Sequence, residues 1–259
     1  MKKYSSPVDI IKYYDDYIKE RNESNRKERY EGNEHWYHAS GAGSCSRKLY
    51  YESVVKAEVS NPINVDSLRL MRLGTIVHND IQKALTLYNN NLYNNVYNNV
   101  EKKINSNLQK KEIKFYVEGE VTIPELNVRG FYDVVTEQDK VYLFDVKTSG
   151  SYAWSKKFGR KKEFNPSIHY ELQLGTYAYA IEKEFGRIDG MYLLFYNKDT
   201  SRMRPVEIPL TYKSRAYLFW KNINDEHKMG LPDFKVGISP VQKWQCNYCQ
   251  FKDHCNPPT

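Results

Sequence analysis

Apolar positions along this chain change their period several times, and each change marks an element. From Ser67 to Tyr88, Leu70, Leu73, Val77, Ile81 and Leu85 recur at intervals of three and four, the spacing of one helical face. Three stretches follow, Lys114–Ile123, Val128–Thr136 and Val141–Lys147. They are short, rich in β-branched and aromatic residues, and separated by Pro124, Asn127 and the Glu137–Lys140 turn, so they predict a meander of strands. A helix from about Tyr170 to Phe185, strands at Met191–Tyr196 and Met203–Leu210, and a helix from about Lys213 to Met229 complete the periodic part. Residues 1–35 read as a polar, tyrosine-rich helical lead, after which HASGAGSCSRKLYYE supplies a glycine-serine turn with Cys45 at a helix start. The segment Asn89–Lys111 is biased towards asparagine and tyrosine. Its Leu92, Val96, Val100, Ile104 and Leu108 still recur every four residues, so it reads as a poorly specified helix or an insertion. Ser149–Ser167 reads as a basic loop. The order of helix, three strands, helix, strands and helix predicts an α/β chain whose mixed central sheet is flanked by helices, with no repeat or linker dividing it.

Composition narrows the class. Hydrophobic residues make up 40% of the 259 and charged residues 27%, which excludes wholesale disorder. Mean hydropathy is −0.76 and no apolar run approaches the roughly 20 residues of a membrane span. The N-terminal MKKYSSPVDIIKYYDDY lacks the apolar stretch of a secretory leader, so a cytoplasmic protein is expected. The net charge of +7 favours a polyanionic partner, and 23 tyrosines supply rings on which unpaired bases can stack.

The chemistry begins at VYLFDVK. Alternation puts Val141, Leu143, Asp145 and Lys147 on one strand face, so an acid and a base fall where more core is expected. On the preceding strand, in GFYDVV, Asp133 converges with Asp145 if the two strands pair through the Glu137–Lys140 turn. Two carboxylates held close resist burial unless something neutralises them, and a divalent cation does this. Mg2+ or Mn2+ accepts oxygen ligands and lowers the pKa of a bound water, which suits phosphodiester hydrolysis. Lys147 would offset charge developing at the phosphate. His78 follows Gly74 by one turn, where the missing side chain allows another element to approach, and its imidazole can complete the coordination. Gln173 and Tyr177 project from one helix face and could hold a phosphate or the water network.

In this order and at this spacing, His78, Asp133, Asp145-Val146-Lys147 and Gln173-x-x-x-Tyr177 resemble the PD-(D/E)XK nuclease superfamily in its RecB-like branch. The resemblance implies a restriction-endonuclease-like core over 67–229, interrupted by an insertion at 89–111, within one domain spanning 1–259. It implies that His78, Asp133, Asp145 and the Val146 carbonyl bind the metal and that Lys147 is catalytic.

Cys246, Cys249 and Cys255 form C-x2-C-x5-C, and Cys45 stands far upstream, beyond the helical lead 1–44. On chemistry alone four thiolates suit an iron–sulfur cluster or tetrahedral zinc; the one-plus-three division disfavours an ordinary zinc ribbon. The pattern resembles the iron–sulfur subset of RecB-like nucleases, which includes the AddB nuclease domain and the CRISPR-associated exonucleases. That resemblance implies a 4Fe–4S cluster held by Cys45 and 246–255, joining the two ends of the chain. It would set Arg47 and Lys48 beside the nuclease core as DNA-binding residues. The basic stretch carries Lys156, Lys157, Arg160, Lys161 and Lys162 among Trp154, Phe158 and Phe164, a composition suited to single-stranded DNA. The expected function is a metal-dependent DNA exonuclease acting on single-stranded ends in recombination, repair or CRISPR adaptation. The alternative is a catalytically idle iron–sulfur subunit that binds nucleic acid.

Overall fold

A computed structural model describes residues 8–29, 35–99, 112–160 and 167–255. The polar lead forms helix α1 (Ile10–Arg29), followed by the short strand β1 (Tyr37–His38). Cys45 precedes α2 (Ser46–Leu49) as its N-cap, as expected. Helix α3 (Val65–Asn99) carries the Leu70–Leu85 stripe and runs further than the periodicity alone requires. Asn89 explains part of this: its amide donates to Phe115 O at 2.6 Å and accepts from Phe115 N at 3.1 Å, so asparagine docks the helix on a strand. The part of the proposed insertion at 100–111 lies outside the described residues.

Strands β2 (Lys114–Ile123), β3 (Val128–Glu137) and β4 (Val141–Ser149) form the expected antiparallel meander. Next come α4 (Ser151–Phe158), α5 (Ile168–Phe185), β5 (Gly190–Asn197), β6 (Met203–Ile208) and α6 (Thr211–Lys228). The six strands make one mixed sheet in the order β1-β3-β4-β5-β6, with β2 also on β3. β4 and β5 are parallel, so the chain between them must cross over, and α4 and α5 make that crossing. Where a basic loop was expected after β4, α4 forms instead. Trp154 and Phe158, one turn apart with ring centroids 4.6 Å from each other, pack against the core and stabilise that turn.

The sheet holds one irregularity that matters for the site. β3 pairs with β2 along its length, from Lys114↔Glu137 to Ile123↔Val128. β4 pairs with it only from Glu137↔Val141 to Val134↔Phe144, and β1 pairs only at Val128 and Arg129. Among the described residues, Gly130 to Asp133 therefore have no partner strand besides β2.

Helix α5 crosses the sheet and packs on α6. Gly175 permits the approach, because a β-carbon there would lie 2.3 Å from Tyr212 O. Trp220, wholly buried, donates from its indole N–H to Thr176 Oγ1 at 2.8 Å.

The C-terminal stretch, with α7 (Trp244–Asn247) and α8 (Lys252–Cys255), returns to residues 51–61. Asn61 Nδ2 donates to Cys249 O, Ser60 N to Gln250 O and Tyr51 OH to His254 O, each at 3.0 Å, while Phe251 is buried and stacks on Tyr51. Hydrogen bonds and packing thus hold the C-terminal stretch against residues 51–61. Among the described residues no helix is long and apolar enough to cross a membrane.

Candidate active site

The split in the sheet places the acids. The β3–β4 ladder stops at Val134↔Phe144, and the next residue on each strand is Asp133 or Asp145. Asp133 Oδ2 accepts the Val146 N–H at 2.6 Å, so a carboxylate takes the place of a ladder carbonyl. A strand residue directs its N–H and C=O to the same edge, so the Val146 carbonyl also faces this gap. Asp133 Oδ1 lies 3.4 Å from His78 Nδ1. Gly74, one turn before His78, lets β4 approach as its missing side chain suggested: a β-carbon there would sit 3.0 Å from Thr148 Oγ1.

Asp145 is 1% exposed. Its Oδ2 meets Lys147 Nζ at 2.7 Å as an ion pair, and no other donor reaches that buried oxygen among the described residues. Burial pushes the Asp145 carboxyl up to about 6, with Lys147 opposing and Asp133 adding to the rise. Burial also works against the Lys147 ammonium, yet Asp145 and Asp133 outweigh it and hold its pKa above the ordinary lysine value. For His78 burial lowers the pKa, and the hydrogen bond and charge of Asp133 more than restore it. Lys147 donates to Gln173 Oε1 at 2.9 Å, and Gln173 Nε2 donates to the buried Tyr177 hydroxyl at 3.2 Å.

Two carboxylates, an imidazole and a main-chain carbonyl are a donor set for Mg2+ or Mn2+. The buried Asp145 Oδ2, met by the Lys147 ammonium and no other donor among the described residues, fits a cation. The carboxylates are paired here with Lys147 and His78, and among the described residues no three His, Cys, Asp or Glu side chains are gathered as a metal would gather them.

One acid escaped the sequence reading. Register puts Glu118 of β2 across from Asp133, between the pairs Val117↔Val134 and Gly119↔Tyr132. It has φ of 52° and accepts a hydrogen bond from Gln82, one turn after His78 on α3. The four-residue step from His78 to Gln82 was a visible signal.

The remaining candidates divide. Cys45, Cys246, Cys249 and Cys255 are free thiols that line one cavity of about 220 Å3, along with Lys48. Burial raises the pKa of Cys246 and Cys249, and the nearby thiols add to the rise. Cys45 is anchored by its neighbour: Ser46 Oγ donates to Glu226 Oε2 at 2.8 Å, and Ser46 O lies 3.0 Å from His227 Nε2. Arg47 donates to Pro232 O at 2.8 Å and lies over the Phe234 ring, so its guanidinium serves the fold. Lys157 is turned inward, 2.5 Å from Ser167 Oγ, whereas Arg160 is exposed at the end of α4 and Lys156 lies over Tyr152. Lys161, Lys162 and Phe164 lie outside the described residues.

Comparison with known proteins gives the family. Residues 90–256 match the model described as the PD-(D/E)XK nuclease superfamily, a span that holds Asp133, Asp145, Lys147, Gln173 and Tyr177 but neither His78 nor Cys45. The chain is similar to the crystal structure of SSO0001, at 17% identity over 96% of this chain and 98% of that one, with a TM-score of 0.51. It is also similar to an alkaline exonuclease from Laribacter hongkongensis, at 12% identity over 76% and 89% of the two chains, with a TM-score of 0.42. No curated protein matches.

Proposed function

The chain belongs to the PD-(D/E)XK nuclease superfamily, and from that premise we propose that it is a metal-dependent deoxyribonuclease that shortens single-stranded DNA from an end. The observation that carries this reading is the buried Asp145 carboxylate beside Asp133 and Lys147 at the split between β3 and β4. Asp133, Asp145, the Val146 carbonyl and His78 would hold Mg2+ or Mn2+, which when bound supplies Lewis acidity and an activated water. The chain's own part is positioning. Lys147, held between Asp145 and Gln173, presents an ammonium to the phosphate, where negative charge grows during hydrolysis. Gln173 keeps that ammonium in place while its amide is itself oriented by Tyr177.

The four thiols lining one cavity support a 4Fe–4S cluster as resident cofactor, held by Cys45, Cys246, Cys249 and Cys255. DNA is the partner in this reading, within recombination, repair or CRISPR adaptation. Digestion of single- and double-stranded DNA labelled at either end, with Mn2+ present, tests it. The reading requires progressive shortening of the single strand from one terminus, and internal cuts without end dependence would contradict it.

A further inference from the structure

Next to Lys147 lies a second cavity, of about 650 Å3, between α4 and the C-terminal stretch. Its volume falls within the roughly 300–1,000 Å3 of small-molecule sites. Aromatic rings dominate its lining: Tyr152 and Trp154 from α4, Tyr170 from α5, and Trp244 and Tyr248 from the stretch that bears the cysteines. The Lys147 ammonium sits 5.0 Å above the Tyr170 ring. Tyr170 and Gln173, which holds Lys147, are one turn apart on α5, so the cavity opens about 5 Å along the helix from the catalytic ammonium.

Three of these rings face solvent to an extent that packing does not require. Tyr152 is 76% exposed, Tyr248 71% and Trp244 50%. By contrast Trp154 and Phe158, expected from sequence to offer stacking surface, pack on the core. Lys156 lies over Tyr152, giving the cavity a positive edge, and Ser149, which also lines it, keeps a buried Oγ with no hydrogen-bond partner among the described residues. Exposed rings, a cationic edge and an unused hydroxyl together match one class of occupant, a nucleobase attached to a phosphodiester. A paired base has both faces covered by its neighbours, so the seat selects unpaired DNA.

We propose that this cavity seats an unpaired base next to the scissile phosphate, and that Trp244 and Tyr248 are specificity-determining residues for single-stranded substrate. The proposal rests on the nuclease reading and adds to it a link between the two cavities. Trp244 and Tyr248 line the thiol cavity as well, and they alternate in sequence with Cys246 and Cys249. Whatever fixes the thiols therefore also fixes the rings.

The test is binding by fluorescence anisotropy, with chelator present so that nothing is cut. The probes are a single-stranded oligothymidylate, an abasic strand of the same length and a duplex. The intact protein should prefer the base-bearing strand over the abasic one. Trp244→Ala should lose that preference, weakening oligothymidylate binding by roughly 5- to 150-fold, the range for one lost stacking contact, while Trp244→Phe retains most of it. Tyr152→Ala, on α4 and away from the cysteines, should weaken it in the same sense without disturbing the C-terminal stretch. Equal affinity for base-bearing and abasic strands in the intact protein, or equal losses on all three probes, would overturn the seat. Neither result bears on metal-dependent cleavage, which stands or falls on Lys147.

Discussion

Asp133 Oδ2 accepts the main-chain N–H of Val146 at 2.6 Å, so the carboxylate serves the sheet and the site at once. Its two roles can be separated. An asparagine in its place would still offer a carbonyl oxygen to Val146 but no negative charge to a cation. Asp133→Asn should therefore melt close to the wild-type temperature while metal-dependent cleavage falls at least about 100-fold, the scale of losing one electrostatic group at a reacting centre. Asp133→Ala should in addition lose about 1–3 kcal/mol of stability, because the Val146 N–H is left without its acceptor. Thermal melts read beside cleavage rates distinguish the two variants.

Gln173 accepts from Lys147 and donates to Tyr177, a relay within the buried face of α5. Removing it leaves the ammonium to Asp145 and the Tyr170 ring. Gln173→Ala should lower kcat by about 10- to 100-fold, as expected when a reacting group is misplaced by a fraction of an ångström to one ångström. The affinity for Mn2+ should change little, since Gln173 is not among the proposed ligands. A parallel loss of metal affinity would show that Gln173 shapes the carboxylates instead.

Acid should destabilise the apoprotein. Burial is the chief cause that holds His38 and His169 down to about 4, and it also lowers His35 and His227. The unfolded chain takes up these protons near 6.5 and the fold takes them up at lower pH, so their contribution is complete above 6.5 and is lost as pH falls, for His38 and His169 towards 4. Asp145, raised to about 6, and His78, raised above 6.5, act in the opposite sense and are outnumbered. Melting temperature in chelator should thus fall across this interval, and a rise on acidification would contradict the assignment.

The thiol cavity makes a prediction that light absorption can check. Protein purified without oxygen should absorb in the visible through sulfur-to-iron charge transfer, and Cys45→Ser should lose most of that absorbance. His227→Ala should weaken it as well. It removes the partner of the buried Tyr37 hydroxyl, 2.6 Å away, and of the Ser46 carbonyl beside Cys45, at a cost of about 1–3 kcal/mol for each buried group left unpaired. Colourless protein carrying stoichiometric zinc would replace the cluster with a tetrahedral zinc site.

How far these features could be read from the residues alone depended on the range of the forces behind them. The meander and α3 follow from local period, and Asp145 and Lys147 stood out because they interrupt a buried alternation. Their convergence with Asp133 required only a short turn. Features set by distant partners were hidden. Helix α4 forms because Trp154 and Phe158 find the core, which the surrounding lysines conceal. Asn89 belongs to α3 because it bonds the main chain of Phe115. Arg47 was expected to bind DNA beside the nuclease core, and nothing near it in sequence announces Pro232 or Phe234. Glu118 owes its place to the register of β2, which KFYVEGEV does not show, and the step from His78 to Gln82 was its one signal in the sequence.

The central claim is that a cation held by Asp133 and Asp145 works with the Lys147 ammonium to break a phosphodiester bond. The direct measurement titrates Mn2+ into wild-type protein and Lys147→Ala and follows the cleavage of labelled single-stranded DNA in the same samples. Both proteins should bind Mn2+, and only the wild type should cleave. A wild-type protein that is saturated with Mn2+ and leaves the DNA intact would contradict the account.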